Sequence, residues 1–164
     1  MRFFIYKFIC MKELLIREAT HKDLETLLDF EQEIIRTERP MDKTLIQDKK
    51  ISYYDIASYI VQKDTQVLVA EAEGQLIGSG YGQIRERKPY FKTDLLGYIG
   101  FIYVNENFRG KGVSQQILKA LTEWFQNQNI TEIRLTVYSE NPRAIKAYEK
   151  VGFKSHIIEM RLDN

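Results

Sequence analysis

Residues 105–118 read NENFRGKGVSQQIL, and residues 138–153 read YSENPRAIKAYEKVGF. The first stretch joins a strand-like run, LLGYIGFIYV, to a helical pattern that begins near Val113. The second stretch opens a helix, since Asn141 precedes Pro142 and Gly152 follows the last turn, the usual placement of Pro and Gly at helix ends. Both stretches therefore mark junctions at which a loop enters a helix.

The first junction has the chemistry of a phosphate site. The first N–H groups of a helix are unpaired and carry a partial positive charge. Gly110 and Gly112 allow an anion to approach the backbone, while Arg109, Lys111 and Ser114 add charge and a hydroxyl group. An exposed turn with a glycine-containing helix cap explains the motif equally well. The stretch fits neither a P-loop, which needs Gly at position 105, nor a Rossmann fingerprint, which needs a small residue at position 115.

The second junction carries two polar groups on one helix face, Asn141 and Tyr148. They are able to reach a ligand from an otherwise apolar face. Taken alone, the helix favours a simpler interpretation, in which Asn141 caps the helix and Tyr148 packs with its hydroxyl group at the surface.

Elsewhere the chain alternates between strand and helix patterns. Residues 20–23 and 52–55 resemble capping boxes that open helices ending near Arg36 and Gln62, and Glu73-Gly74 predicts a hairpin turn. Strands are predicted over residues 13–18, 67–74, 75–87, 94–104, 131–138 and 153–162.

This order, β-α-α-β-β-β-α-β-α-β, predicts an α+β fold with a mixed central β-sheet flanked by helices. A single domain is expected over residues 11–164, since Met11 opens a natural domain start. Residues 1–10 are expected to be an N-terminal extension, either a start-site artefact or an added edge strand.

Composition narrows the function classes. The formal charge is +1, from 24 Lys+Arg against 23 Asp+Glu, which argues against a nucleic-acid partner. No apolar run approaches the length of a membrane span, so no membrane partner is expected. Cys10 is the only cysteine and the two histidines are far apart in sequence, so we expect neither a disulfide nor a metal site, and a cytoplasmic location.

Together, in this order and spacing, the two quoted stretches closely resemble the GCN5-related N-acetyltransferase (GNAT) superfamily. The likeness extends from about Glu13 to Leu162, and it implies the GNAT acyltransferase fold and use of acetyl-CoA as the acetyl donor.

By position, the resemblance implies that a splayed strand and the loop after it bind the cofactor. The strand end corresponds to Ile102, Tyr103 and Val104, and the loop that holds the CoA diphosphate corresponds to Arg109, Gly110, Lys111, Gly112, Val113 and Ser114. Asn107 stands where the family usually has Gln or Arg, which we expect to weaken affinity slightly. Asn141 corresponds to a family residue near the pantetheine, and Tyr148 to the tyrosine that protonates the leaving thiolate.

The general base is left open. Glu31 occupies an apolar position of the first helix, where it either faces the acceptor or, as we expect more strongly, is partly exposed. Tyr98 and Tyr103 are candidates for a water relay, although strand packing explains them as well. Gly97 and Gly100 fit a bulge or close backbone approach in their strand, and ordinary strand irregularity is an alternative.

The expected acceptor is a primary amine, with a small molecule preferred. Ribosomal-protein alanine acetyltransferases carry a Glu where this chain has Thr136, which argues against peptide N-termini. A protein or peptide N-acetyltransferase and a non-catalytic CoA-binding module are the alternatives. Homodimers are common in the family, so a homodimer is a candidate assembly.

Overall fold

The computed structural model of the chain describes residues 14–162, so the predicted extension at residues 1–10 lies outside the described residues. The strands are β1 (Leu14–Glu18), β2 (Thr65–Ala72), β3 (Gln75–Glu86), β4 (Leu95–Val104) and β5 (Ile133–Leu135). The helices are α1 (Leu24–Glu38), α2 (Ile56–Tyr59), α3 (Val113–Asn127) and α4 (Pro142–Glu149), with short 3₁₀ turns at His21–Asp23 and Glu106–Phe108.

The five strands form one sheet in the order β1-β2-β3-β4-β5. The first four strands pair antiparallel, whereas β4 and β5 pair parallel. The sheet is therefore mixed, and the predicted α+β fold class is confirmed.

Two hydrophobic clusters cover the two faces of the sheet. On one face, α1 and α2 pack against alternate residues of β2, among them Val67 and Val69. On the other face, α3 packs against Leu68 and Ala70 through a stripe that includes Phe125. This period-two alternation along β2 is the pattern expected of a strand buried on both faces.

Two predicted features, the capping box before α1 and the hairpin turn between β2 and β3, are present in the structure. Thr20 and Asp23 form the capping box before α1, in which the Thr20 N–H group donates to Asp23 Oδ2 at 2.8 Å. The Asp23 N–H group also closes the turn on the Thr20 carbonyl at 2.9 Å. Glu73 and Gly74 have φ values of 53° and 74° and form the two-residue turn between β2 and β3. A type I′ hairpin turn requires positive φ at both positions.

The second predicted capping box is wrong. The N-cap of α2 is Asp55, whose Oδ1 accepts a hydrogen bond from the Ser58 N–H group at 3.2 Å. Ser52 instead donates to the buried Glu31 side chain. The helix therefore starts only at Ile56, because a tertiary partner recruits the residue that was expected to cap it, and it ends at Tyr59 and does not reach Gln62.

Of the two strands predicted near the C-terminus, one is shorter than predicted and the other is absent. β5 covers three residues of the predicted 131–138, and residues 153–162 form no strand although all of them are described. The side chains of Ile157, Ile158, Met160 and Leu162 are exposed. Apolar alternation alone was insufficient, because a strand also needs a neighbouring edge with which to pair.

Within residues 14–162, no helix is both long enough and apolar enough to cross a membrane.

Candidate active site

A cleft opens where β4 and β5 separate. The two strands pair only over Gly97–Ile133, Tyr98–Arg134 and Ile99–Leu135, whereas β4 continues to Val104. The resulting cleft has a volume of about 1280 Å³ and is walled by the end of β4, the loop before α3, the segment after β5, α4 and the C-terminal end of α1. The free side of β4 leaves backbone groups unpaired there, and a ligand is able to bind them as a neighbouring strand would.

The cleft brings together all but one of the predicted site residues. Ten of the eleven line it, namely Ile102, Tyr103, Val104, Arg109, Gly110, Gly112, Val113, Ser114, Asn141 and Tyr148. Lys111 is not part of the lining, and its Nζ lies 5.0 Å from the ring centroid of Phe108. This placement is a geometric fact, and the roles of these residues stay predictions.

The loop before α3 presents its backbone to the cleft. Gly110 and Gly112 have φ values of 75° and 81°, a left-handed conformation that other residues adopt only with strain. A Cβ atom at Gly110 would meet nothing within 4 Å, so this glycine is required by backbone conformation and not by space. α3 begins directly afterwards at Val113, and its first N–H groups have no intrahelical acceptor. The geometry is that of an anion site.

Two arginines lie close together at this end of the cleft. Arg109 Nε donates to the Val104 carbonyl at 2.9 Å, which fixes the loop to the end of β4. Burial lowers the pKa of Arg143, and the positive charge of Arg109 lowers it further. Because like charges at short range repel, an anion held by both guanidinium groups would relieve the repulsion. Arg143 was missed by sequence reasoning, since an arginine in the first turn of a helix has no distinguishing pattern.

β4 contains a bulge at Gly100, as the sequence suggested. Tyr81 pairs with Phe101 and Gly82 pairs with Ile99, which leaves Gly100 as the extra residue. A Cβ atom at Gly100 would overlap the Tyr81 ring, so only glycine fits. The Gly100 carbonyl accepts a hydrogen bond from the Tyr54 hydroxyl at 3.2 Å. Gly100 also lines the cleft, so the bulge lies at the site itself.

Asn141 both caps its helix and lines the cleft, and the partly buried Tyr148 lines the cleft beside it. Asn141 Oδ1 accepts from the Ala144 N–H group at 3.2 Å, so this side chain caps α4 while it lines the cleft. Burial raises the pKa of Tyr148 to about 12, and the nearby charges of Glu38 and Tyr98 act in the same direction. The Tyr148 hydroxyl is therefore protonated at neutral pH and is able to donate a proton.

The expectation for Glu31 is wrong. Its side chain is buried, with 1% of the residue exposed, and it is absent from the cleft lining. Its carboxylate accepts hydrogen bonds from the Ser52 hydroxyl at 3.0 Å and from the N–H groups of Tyr53 at 2.7 Å and Tyr54 at 2.9 Å. These donors occupy the carboxylate, so Glu31 serves the structure of the segment before α2.

Packing accounts for the two candidate relay tyrosines. The Tyr98 hydroxyl donates to Thr136 Oγ1 at 3.2 Å, and the Arg85 guanidinium lies 3.6 Å from the centroid of the Tyr98 ring. Tyr103 stacks on Phe30 with a centroid separation of 4.4 Å, and burial raises the pKa of its hydroxyl. Neither contact requires a role in proton transfer.

A further carboxylate, which sequence reasoning missed, lies in the cleft. Glu38 is the last residue of α1, is partly buried and lines the cleft with Tyr148. Burial raises its pKa, and the neighbouring Tyr53 hydroxyl lowers it in part. A signal existed, because Glu31, Ile35 and Glu38 are spaced i, i+4 and i+7 and so share the inward face of α1.

Among residues 14–162, no group of three or more His, Cys, Asp or Glu side chains is arranged to hold a metal ion.

Comparison with known proteins relates this site to one family. The model of the Acetyltransferase (GNAT) family matches residues 24–153. The uncharacterized N-acetyltransferase YobR of Bacillus subtilis (strain 168) is 34% identical over 93 residues, which are 45% of this chain and 38% of that protein. The chain thus matches less than two-fifths of YobR. Thialysine N-epsilon-acetyltransferase of Bos taurus is 25% identical over 145 residues, or 87% of this chain and 85% of that protein.

A solved structure shares the fold. The crystal structure of a predicted acetyltransferase with acetyl-CoA from Clostridium acetobutylicum superimposes with a TM-score of 0.71 at 20% identity. The match covers 92% of this chain and 96% of that chain.

Proposed function

The chain belongs to the Acetyltransferase (GNAT) family, and on that premise we propose that it is an acetyl-CoA-dependent N-acetyltransferase that acts on a primary amine of a small molecule. The observation that supports this most directly is the cleft at the divergence of β4 and β5, with a glycine loop at one end and the half-buried Tyr148 in its wall. The Clostridium acetobutylicum structure contains acetyl-CoA, and the bovine relative is named for an amine substrate. The single cysteine fits a reducing compartment, and we propose the cytoplasm.

The residues at the loop end of the cleft fit a diphosphate. The diphosphate would be held by the N–H groups of residues 110–115 and by the neighbouring guanidinium groups of Arg109 and Arg143. Helix starts bind anions through the same electrostatic attraction. Unpaired backbone groups along residues 100–104 would then hydrogen-bond the pantetheine arm. This arrangement requires no metal ion.

Acetyl-CoA supplies a thioester whose carbonyl carbon accepts the amine nitrogen while the thiolate leaves. Backbone N–H groups near the Gly100 bulge that point away from β3 would stabilise negative charge on the carbonyl oxygen. Tyr148, which is protonated at neutral pH, would deliver a proton to the sulfur.

Replacement of the Tyr148 hydroxyl tests this assignment. In the Tyr148→Phe variant we expect kcat to fall by about 10²–10⁴, the range for loss of a general acid, while the Kd of acetyl-CoA changes by less than about threefold. Thiol release from acetyl-CoA against a panel of amines, amino acids, peptides and antibiotics measures the first quantity, and calorimetry measures the second.

Tyr98→Phe is the matched control. It removes the same hydroxyl group from a tyrosine that does not line the cleft, so we expect nearly unchanged kcat. Unchanged turnover in Tyr148→Phe would remove the proposed role, and acetyl-CoA binding without thiol release by the wild-type protein would point to a non-catalytic CoA-binding module.

A further inference from the structure

The charged side chains of the cleft are unevenly distributed. Four basic residues line it, Arg109, Arg143, Lys146 and Lys150, and all of them belong to the α3 loop or to α4 and its C-cap. The acidic residues of the lining are Glu38 and Glu140. Glu140 is exposed just before α4, whereas Glu38 is partly buried at the end of α1.

Glu38 has a hydroxyl neighbour, Tyr53, but no cationic partner among the described residues. Within the described part of the chain, no arginine, lysine or histidine forms an ion pair with its carboxylate. The neighbouring cation Arg39 is engaged elsewhere, since its Nε donates to the Ile46 carbonyl at 3.1 Å and its Nη2 donates to the Lys49 carbonyl. The C-terminal end of α1 also carries partial negative charge, which disfavours an anion at this position.

An unsatisfied hydroxyl group accompanies this carboxylate. The Tyr53 hydroxyl is buried beside Glu38, close enough to lower the pKa of that carboxyl in part, but it is not in standard hydrogen-bond geometry with any described residue. Buried polar groups without partners are rare and costly. Glu38 is also close enough to Tyr148 to raise the pKa of that hydroxyl, so the carboxylate and the proposed acid share one region of the cleft.

We infer that Glu38 is the acceptor-binding residue, whose carboxylate pairs with the ammonium group of an alkylamine and receives the proton that the nitrogen must lose before attack. The inference rests on the proposed function and adds a substrate class to it, namely primary amines that are cationic at neutral pH. Burial of Glu38 supports proton transfer, since its raised pKa lies closer to that of an amine.

Glu38 and Tyr148 together account for every proton transfer that the reaction needs. The ammonium gives one proton to the Glu38 carboxylate, and the freed lone pair forms the N–C bond to the thioester carbonyl carbon. The C–S bond breaks and the sulfur takes the Tyr148 proton. The second proton of the attached nitrogen then restores the Tyr148 hydroxyl, and Glu38 releases its proton to solvent, so one proton is released per acetyl group transferred.

The test compares Glu38→Gln with wild-type protein on an alkylamine that the thiol-release panel identifies. We expect kcat/KM at pH 7 to fall on the order of 100-fold or more, as for other general bases. The deficit should shrink as the pH rises toward about 10, where free amine is abundant without help from the enzyme. The Kd of acetyl-CoA should change by less than about threefold.

The tyrosines around Glu38 do not change charge at the neutral end of this pH profile, where the deficit should be largest. The groups coupled to Glu38 are Tyr53 and Tyr54 before α2, Tyr138 before α4, and Tyr148 on α4. Burial raises the pKa of each, so none of them changes charge near neutral pH.

Glu33→Gln is the matched control, because Glu33 lies on the same helix outside the cleft and pairs with Arg36. It should retain wild-type kcat/KM, and Glu38→Asp should recover part of the activity that Glu38→Gln loses. Wild-type kcat/KM in Glu38→Gln, or a deficit independent of pH, would overturn the inference alone. Absence of thiol release by the wild-type protein would overturn the proposed function and this inference with it.

Discussion

The Glu31 carboxylate connects helix α1 to the bulge in β4 through backbone groups. It holds the N–H groups of Tyr53 and Tyr54 at 2.7 and 2.9 Å, and the Tyr54 hydroxyl in turn reaches the Gly100 carbonyl at 3.2 Å. Through Tyr53, the same residue also sets the surroundings of Glu38. One buried side chain therefore positions groups on two sides of the cleft.

Truncation of this side chain should be costly. We expect Glu31→Ala to lower the free energy of unfolding by about 2–4 kcal/mol, because two partly buried N–H groups and a hydroxyl lose a buried acceptor. Urea denaturation measures the change. Glu33→Ala, an exposed substitution on the same helix, should change it by less than about 0.5 kcal/mol. Equal stability of the two variants would contradict the role assigned to Glu31.

Glu31 and Glu38 show how much a single sequence reveals about individual residues of α1. Helical spacing places Glu31 on the inward face, but its donors lie about twenty residues further along the chain, in a segment without a pattern. Burial and partners are therefore set by tertiary contacts that periodicity does not contain. The place of Tyr148 in the cleft lining was predictable because this residue belongs to a contiguous motif, whereas Glu38 gains its environment only when α1 meets the cleft.

The glycine loop before α3 has a backbone conformation like that of the hairpin turn between β2 and β3, so substitutions in the two can be compared. Gly110 and Gly74 have φ values of 75° and 74°, and a Cβ atom at either position would meet nothing within 4 Å. Alanine at either position should therefore cost about 1–2 kcal/mol of stability through backbone strain alone.

Only one of these variants should affect the cofactor. If the loop relieves its strain by moving, Gly110→Ala should raise the Kd of acetyl-CoA about tenfold, since 1.4 kcal/mol corresponds to one decade. Gly74→Ala, in the hairpin away from the cleft, should leave this Kd unchanged. Isothermal titration checks both, and equal Kd values would argue against a diphosphate in the loop.

Elements that are fixed by contacts within a few residues were predictable from sequence. Elements that depend on contacts between distant segments were not. The capping box at Thr20 and Asp23 closes within four residues and formed as expected. Ser52 has the same type of motif, yet its hydroxyl binds Glu31 instead. Residues 153–162 alternate like a strand, but they pair with neither edge of the described sheet.

For the whole molecule, the pH dependence of stability depends on a partly buried ion pair. Arg17 on β1 bonds both oxygens of Asp23 at 2.9 Å and reaches Glu71 on β2 at 3.0 Å. The hydrogen bonds from Arg17 hold the pKa of Asp23 well below its usual range, against the effect of burial. Because the folded pKa is depressed, this stabilisation is complete above the unfolded value of about 4 and is lost as the pH falls below it.

Asp23→Asn should therefore destabilise the protein in a pH-dependent manner. We expect a loss of about 1–2 kcal/mol at pH 7, with the difference from wild type closing as the pH falls from about 5 toward 2. Urea midpoints across this range measure it. A difference that stays constant with pH would show that Asp23 acts through its cap geometry and not through its charge.

The short pairing of β4 with β5 also affects how the chain opens. Neither β5 nor α4 contains a fully buried residue, so this region should unfold locally at a lower free energy than the strands of the central sheet. A ligand that contacts β4 on one side and α4 on the other must leave before the region opens. Saturating acetyl-CoA should then slow amide hydrogen exchange in residues 133–149, while fraying of β1, which leaves the cleft intact, keeps its rate. In that case the bound ligand would supply tertiary contacts that the chain does not make for itself.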